Sequence, residues 1–156
     1  MLYTIGFTQK TAEQFFGLIQ DHKITRLIDV RLWNSTQLAG FSKGRDLQYF
    51  LSTICGCKYA HERDAAPSKE LLDGYKSGAV TWTEYEEIYH NLMRERGTID
   101  KLAAKYDFAD ENIILLCAEP TALHCHRRLL AELLAQNNPA IEIQHITPAA
   151  TGQGSD

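Results

Sequence analysis

Cysteine, glutamate, histidine and arginine cluster within one short stretch of this 156-residue chain. An apolar run at residues 113–116 ends in Cys117 and Glu119, and residues 124–128 read His-Cys-His-Arg-Arg. A thiol and a carboxylate can attack or transfer protons, whereas histidine and arginine can transfer protons and hold an anion. The order of these residues predicts a ligand site where the end of a buried strand faces the start of a helix.

Three residues are the candidates for catalysis, namely Glu119, His126 and Cys117. Glu119 could act as a general base or acid, or it could orient a neighbouring arginine. Cys117 stands where a nucleophile stands in many α/β enzymes, but it equally fits a pocket lining or a buried small hydrophobe. His126 could transfer protons or hydrogen-bond a loop carbonyl. The residues alone leave these roles open.

Two arginines are the main candidates for binding an anion. Arg31 follows a predicted strand. Side chains alternate along a strand, so Asp29 lies on the same face as Arg31, and an ion pair between the two would compete with ligand binding. Arg127 lies in the first turn of a predicted helix, beside free backbone N–H groups, where it binds an anion or braces Glu119. Phe41 and Lys43 lie in a loop that could add an aromatic face and a cation, although ordinary packing explains them as well.

Several specific motifs are excluded by spacing. No metal site is predicted, because consecutive ligand-type residues cannot face the same way on a regular helix. A phosphatase-type Cys-x5-Arg loop fails, since the arginine position holds Leu123 counted from Cys117 and Ala131 counted from Cys125. The chain has neither a Walker A loop nor a G-x-G-x-x-G motif. Helical spacing before Leu129 predicts that Cys125 faces the core.

Strands alternate with helices along the whole chain, which predicts a mostly parallel sheet. Apolar, β-prone runs predict strands at residues 2–5, 27–30, 57–60, 112–117 and 141–146. Apolar periodicity and two capping boxes predict helices at residues 12–21, 43–54, 69–76, 81–93, 102–108 and 122–136. The predicted fold is a single α/β domain over residues 1–146, a three-layer sandwich with about five strands and helices on both faces. Residues 147–156 are expected to be a disordered tail.

Composition limits the classes of partner. The formal net charge of -4 argues against a general nucleic-acid binder, although a local basic pocket remains compatible with it. No run of the sequence is apolar for long enough to span a bilayer, and the N-terminus lacks the features of a signal peptide. We therefore expect a cytoplasmic protein whose four cysteines are reduced.

An ordered set of short motifs resembles domain-of-unknown-function family 488 over residues 2–146. The residues that carry the resemblance are Thr-Ile-Gly at 4–6, Asp-Val-Arg at 29–31, Gly-Phe-Ser-Lys at 40–43, Cys-Ala-Glu at 117–119 and Cys-His-Arg-Arg at 125–128. Many relatives read Ile-Gly-His-Ser where residues 5–8 read Ile-Gly-Phe-Thr, so the histidine is absent here and Thr8 keeps a hydroxyl. The resemblance implies a fold and a site, which includes Thr8, but no reaction.

The first functional hypothesis is an anion-binding pocket at the carboxyl edge of the sheet, in an enzyme that acts on a nucleotide or another phosphate-bearing substrate. The alternative is a non-catalytic module that senses a small anionic ligand or associates with nucleic acid. A second alternative is a thiol or metal protein that uses Cys117 and Cys125. No cofactor and no oligomeric state follow from the sequence.

Overall fold

Five parallel strands form one sheet in the computed structural model of the protein, which describes residues 1–35, 40–119 and 121–147. Their order across the sheet is β3-β2-β4-β1-β5, and every neighbouring pair runs parallel. Parallel neighbours require crossover connections, which place helices on both faces of a sheet. The strands are β1 (Leu2–Gly6), β2 (Arg26–Asp29), β3 (Lys58–His61), β4 (Ile113–Cys117) and β5 (Ile143–His145).

Six α-helices in the described ranges cover the sheet. They are α1 (Ala12–Asp21), α2 (Gly44–Phe50), α3 (Lys69–Ser77), α4 (Trp82–Arg96), α5 (Thr98–Lys105) and α6 (His126–Asn137). Capping boxes at Thr11 and Thr81 begin α1 and α4, so both predicted helix starts are confirmed. None of the helices that the structure describes is both long and apolar enough to cross a bilayer.

The central strand β4 is buried on both faces, and its alternating side chains enter two separate cores. Leu115 packs with residues of α4, α5 and α6, such as Met93 and Leu130. Leu116 packs on the opposite face with residues of α1 and α2, such as Phe15. Helices therefore enclose the sheet on both sides, and the predicted three-layer α/β sandwich is confirmed.

The starts of two helices differ from the prediction by four residues. The fifth helix begins at Thr98 and ends at Lys105, because the left-handed Gly97 that ends α4 lets the chain turn directly into α5. The last helix begins at His126, four residues later than predicted, because Cys125 has extended backbone and serves as the N-cap. Most of the tail predicted to be disordered, residues 148–156, lies outside the described residues.

The turn after β4 crosses closely over the end of β1. A Cβ atom at Gly6 would lie 1.7 Å from the backbone oxygen of Glu119, a distance that no side chain tolerates. Only glycine therefore permits this approach. The close contact fixes the Glu119 carbonyl at the carboxyl edge of the sheet, where the predicted site residues lie.

Candidate active site

A cleft of about 410 Å³ opens at the carboxyl edge of the sheet, where α3, α4 and the start of α6 meet the ends of β2 and β4. Its walls are largely apolar and carry a few polar groups, which is the usual composition of a ligand pocket. The aromatic lining residues are Phe7, Trp33, Tyr75 and Tyr85, and the polar ones are Arg31, Lys76, Cys117, Glu119, His124, Cys125 and His126.

Two thiols and an imidazole meet in the wall of the cleft. The Sγ atom of Cys117, a residue that is only 5% exposed, lies 3.7 Å from Nδ1 and 3.9 Å from Nε2 of His126. Cys125 completes the group, and one ligand atom from each of the three residues lies within 4.8 Å of the others. We call Cys117, Cys125 and His126 the thiol cluster.

The imidazole of His126 is held by the backbone. Its Nε2–H donates a hydrogen bond to the Val30 carbonyl at 2.7 Å, which couples the first residue of α6 to the end of β2. The two distances from the ring nitrogens to the Cys117 sulfur are nearly equal, so the sulfur lies beside the ring and off the axis of either N–H bond. The interaction between sulfur and ring is therefore chiefly one of charge.

The electrostatics of the cluster favour a thiolate at Cys117. A hydrogen bond from the Cys125 thiol holds the pKa of Cys117 well below its ordinary value, with help from His126 and Arg127 and against the effect of burial. Burial and the neighbouring Cys117 raise the pKa of Cys125. Burial disfavours a charged His126, but the attraction of Cys117 outweighs it and raises the pKa of the imidazole. Both shifts favour the ion pair of a Cys117 thiolate and a charged His126.

Arg127 is completely buried and has no carboxylate partner among the residues that the structure describes. Its Nε donates to Oγ1 of Thr4 at 3.3 Å, and its Nη1 donates to the backbone oxygen of Glu119 at 2.5 Å and to Sγ of Cys125 at 3.7 Å. Within the described ranges neither its Nη2 nor the Lys10 ammonium has a hydrogen-bond partner. Burial and the charge of Arg127 lower the pKa of Lys10. Positive charge is therefore in excess beside the thiol cluster.

Arg31 has a different environment, because its charge is balanced. Its Nε and Nη2 donate to the two carboxylate oxygens of Asp29 at 2.8 and 2.6 Å, and Nη2 also donates to the Ser42 carbonyl. The Tyr59 hydroxyl donates to the same carboxylate at 2.7 Å, and the Phe7 ring lies 5.2 Å from the guanidinium carbon. Burial disfavours the charged guanidinium, but the hydrogen bonds and charge of Asp29 raise the pKa of Arg31. Nη1 is left without a partner among the described residues.

The model of one protein family, described as "Domain of unknown function DUF488", matches residues 11–134. The chain belongs to the DUF488 family. The resemblance noted in the sequence is thereby confirmed. The matched region contains all the helix starts and strand ends that form the cleft, except the end of β1. Neither the curated proteins nor the solved structures contain a match to the chain. The family description names no reaction, so function has to be argued from the geometry.

Two predicted site residues of this DUF488 member hold the turn after β4. The Thr8 hydroxyl donates a hydrogen bond to the backbone oxygen of Ala118 at 2.7 Å, so this hydrogen is not available to a ligand. The Glu119 side chain is exposed at the rim of the cleft, and within the described residues no side chain is bonded to its carboxylate. The backbone carbonyl of Glu119 is the group that contacts Arg127. Glu119 therefore contacts Arg127 through its backbone oxygen, while its carboxylate remains exposed.

Two other predicted residues lie apart from the cleft lining. Phe41 packs against Phe15 with ring centroids 5.2 Å apart, in the core between the sheet and α1. Lys43 is the N-cap residue of α2 and is half-buried. The aromatic and basic loop expected to cover a nucleotide therefore contributes to packing and to a helix start in this structure.

The thiol cluster has the ligand types of a metal site. Two cysteines and one histidine, with a fourth position open, would suit zinc. The guanidinium of Arg127 lies against Cys125, however, and that of Arg31 is close enough for the charge of Cys117 to raise its pKa. Positive charge on two sides opposes a divalent cation and stabilises a bare thiolate.

Sequence reasoning paired Cys117 with Cys125 only in its second alternative, because helical spacing predicted that Cys125 faces the core. A helix that began at residue 122 would have turned Cys125 into the core, whereas a helix that begins at His126 leaves Cys125 at its N-cap, facing the end of β4. Residues 122–123 are good helix formers, so the sequence pattern did not indicate that the helix begins only at His126. Lys10 was missed as well, and no sequence signal identifies a lysine that folds back against Arg127.

Proposed function

We propose that this protein is an enzyme that binds an anionic substrate in the cleft and attacks it with the Cys117 thiolate. The observation that carries the proposal is the position of the Cys117 sulfur, 3.7 Å from Nδ1 of His126 and within 4.8 Å of the Cys125 sulfur. A thiolate paired with an imidazolium is the activated form of a cysteine nucleophile. Plain structural cysteines are buried in apolar surroundings, which raise their pKa.

The preference for an anion follows from the charges around the cleft. Arg31, which is only 5% exposed, lines the cleft, and its Nη1 has no hydrogen-bond partner among the described residues. A buried donor of this kind is costly unless a ligand accepts its hydrogen bond. Aromatic walls formed by Trp33, Tyr75 and Tyr85 favour a substrate with a planar, apolar part. A nucleotide or another phosphate-bearing molecule satisfies both requirements.

The reaction assigned to these groups is a covalent displacement. The Cys117 sulfur forms a bond to the electrophilic centre, the bond to the leaving group breaks, and the leaving group takes a proton from His126. Water then attacks the sulfur-bound intermediate, gives a proton to His126 and releases the Cys117 thiolate.

Two alkylating agents that differ in charge test both parts of the proposal. Iodoacetate is an anion and iodoacetamide is neutral, and both form the same kind of bond to a thiolate. We expect Cys117, identified by peptide mass mapping, to prefer iodoacetate more strongly than a free thiol does, and inorganic phosphate to slow both reactions. A Cys117 that reacts no faster than a free thiol but is protected by phosphate would favour the non-catalytic binding module.

A double variant tests the contribution of Arg31 without leaving a buried charge unpaired. Asp29→Asn with Arg31→Met removes both members of the ion pair, and such neutral replacements are usually tolerated. The preference for iodoacetate should fall about tenfold, which corresponds to the loss of one charged hydrogen bond. Arg26→Met, at the opposite edge of the sheet, is the matched control. An unchanged preference in the double variant would contradict anion binding at Arg31.

A further inference from the structure

Cys125 is a buried nucleophile that the proposed displacement does not use. It is 3% exposed, it lines the cleft, and its sulfur lies within 4.8 Å of the sulfur of Cys117. As the N-cap of α6 it has extended backbone, with φ -139 and ψ 140, and therefore lies outside the regular helix. Two thiols this close together in one cleft are what the full reduction of a disulfide requires.

We propose that Cys117 and Cys125 form a dithiol couple that reduces small, negatively charged disulfides, with Cys117 as the attacking thiol and Cys125 as the resolving thiol. This activity rests on the proposed role of Cys117 as the nucleophile and adds a second function for the same cleft. It requires a disulfide as the oxidant, and the product is an intramolecular disulfide that an external thiol reduces again.

Each step of the exchange balances. The Cys117 thiolate attacks one sulfur of the disulfide R–S–S–R, forms a mixed disulfide and expels RS⁻, which takes the proton of His126 to become RSH. The neutral His126 then takes the proton of Cys125, and the Cys125 thiolate attacks the Cys117 sulfur. The second RS⁻ leaves with that proton, and a Cys117–Cys125 disulfide remains. The substrate gains two electrons and two protons, and the protein loses them.

The geometry allows the second step. The sulfur atoms of the two cysteines lie within 4.8 Å of each other, and a disulfide needs about 2.05 Å between them. The N-cap position of Cys125 allows this approach, because its own N–H is not part of the helical hydrogen-bond ladder. His126 lies within the same 4.8 Å of both sulfurs, so it can receive the proton of Cys125.

Electrostatics set the order of attack. Cys117 is the thiolate at rest, while Cys125 keeps its proton until Cys117 has lost its negative charge to the mixed disulfide. Nη1 of Arg127, 3.7 Å from the Cys125 sulfur, then stabilises the new thiolate. Arg31 and the aromatic walls of the cleft select a disulfide that carries a carboxylate or another anionic group.

The aromatic, dicarboxylate disulfide 5,5′-dithiobis(2-nitrobenzoate) is a suitable probe, because each attack releases a coloured thiol. The remaining cysteines are removed by Cys55→Ser and Cys57→Ala, and this background protein is compared with the same protein carrying Cys125→Ser. Serine is a preferred N-cap residue, so the helix start is preserved, and Cys125→Ala provides a second variant. Folding of all three is checked by circular dichroism.

We expect the background protein to release one equivalent of coloured thiol and then a second, and to end with no adduct and a mass lower by two hydrogens. Both Cys125 variants should stop after one equivalent, with a stable adduct on Cys117. If the background protein also keeps the adduct, Cys125 does not resolve, and the proposal fails while the nucleophile remains. If Cys117 does not react at all, both this proposal and the proposed function fail.

Discussion

Two buried cysteines at opposite edges of the sheet have opposite chemistry. Cys57 is 2% exposed and precedes β3 at the amino edge, where burial, with a smaller contribution from Cys55, raises its pKa to about 12. Cys117 is 5% exposed and ends β4 at the carboxyl edge, where Cys125 and His126 lower its pKa. Burial by itself makes a thiol inert, and the neighbours of the sulfur decide whether it becomes a nucleophile.

The fold explains why the two edges differ. At the amino edge the cation of Arg26 is balanced by Glu111 at 3.3 Å, so little positive charge remains for Cys57. At the carboxyl edge α6 begins beside Cys117, and the N-terminus of a helix carries partial positive charge. Arg127 adds a full charge there without a described carboxylate. A parallel sheet places every strand end, and hence these groups, on one side.

The largest expected effect comes from unbalancing the charges of the carboxyl edge. Asp29→Asn leaves the guanidinium of Arg31 buried without its counter-charge, and loss of one partner of a buried ion pair costs about 3 kcal/mol or more. We expect the free energy of unfolding, measured by urea denaturation, to fall by that amount.

The exposed pair between Lys69 and Asp73 is the matched control for Asp29. Its N–O distance of 3.1 Å is that of an ordinary ion pair, but both side chains are more than half exposed. Asp73→Asn should therefore change the free energy of unfolding by less than about 0.5 kcal/mol. Equal effects of the two substitutions would show that the Arg31 pair is not the buried anchor described above.

The second effect tests the inert thiol. Because the pKa of Cys57 is raised in the folded protein, its contribution to stability is complete below the unfolded pKa of about 9 and is lost as the pH rises towards 12. Between pH 9 and 10.5 this contribution falls by about 2 kcal/mol. Urea denaturation at both pH values should therefore show a flatter alkaline decline for Cys57→Ala than for wild type. An equally steep decline in the variant would mean that Cys57 ionises freely when folded.

The third effect tests the reactive thiol. In His126→Gln the amide can still donate to the Val30 carbonyl, but the positive charge beside Cys117 is lost. The pKa of Cys117 should therefore rise, so the pH midpoint of its alkylation moves up and the rate of alkylation falls at pH values below that midpoint. His124→Gln is the control, because His124 stacks on Trp82 and not on the sulfur. A rate that falls equally in both variants would point to a general disturbance of the turn.

The smallest effect is expected at Glu119. Because its carboxylate is exposed and has no described partner, Glu119→Gln should change the rate of Cys117 alkylation by less than about twofold. The backbone oxygen that contacts Arg127 is unaffected by this substitution. A large loss of rate would indicate that Glu119 takes part in the reaction of Cys117. Measurement of the alkylation rate at two salt concentrations would then show whether the charge of Glu119 is the cause.

Much of the fold could be predicted from the sequence, because its signals are local. The capping box at Thr11 gives the start of α1, and the apolar run at residues 113–116 gives the strand buried on both faces. The carboxyl ends of parallel strands share one edge of a sheet, so the sequence also predicts that Cys117, Arg31 and the start of α6 lie close together.

The details of the site depend on contacts that no local pattern encodes. The start of α6 is set by the tertiary position of the turn over Gly6, and a shift of four residues turns Cys125 from the core towards Cys117. The pairing of Arg31 with Asp29 was one of several alternatives until the structure showed both guanidinium–carboxylate hydrogen bonds. The charge balance of the site, and hence the reactivity of Cys117, depends on these long-range contacts.

The pH dependence of Cys117 alkylation tests the central claim most directly. The rate of reaction with iodoacetamide, followed at Cys117 by peptide mass mapping, measures the fraction of thiolate at each pH. A thiolate stabilised by Cys125 and His126 predicts a midpoint well below the ordinary cysteine pKa of about 8.5. A midpoint at or above that value, as expected for Cys57, would contradict the assignment of Cys117 as the nucleophile.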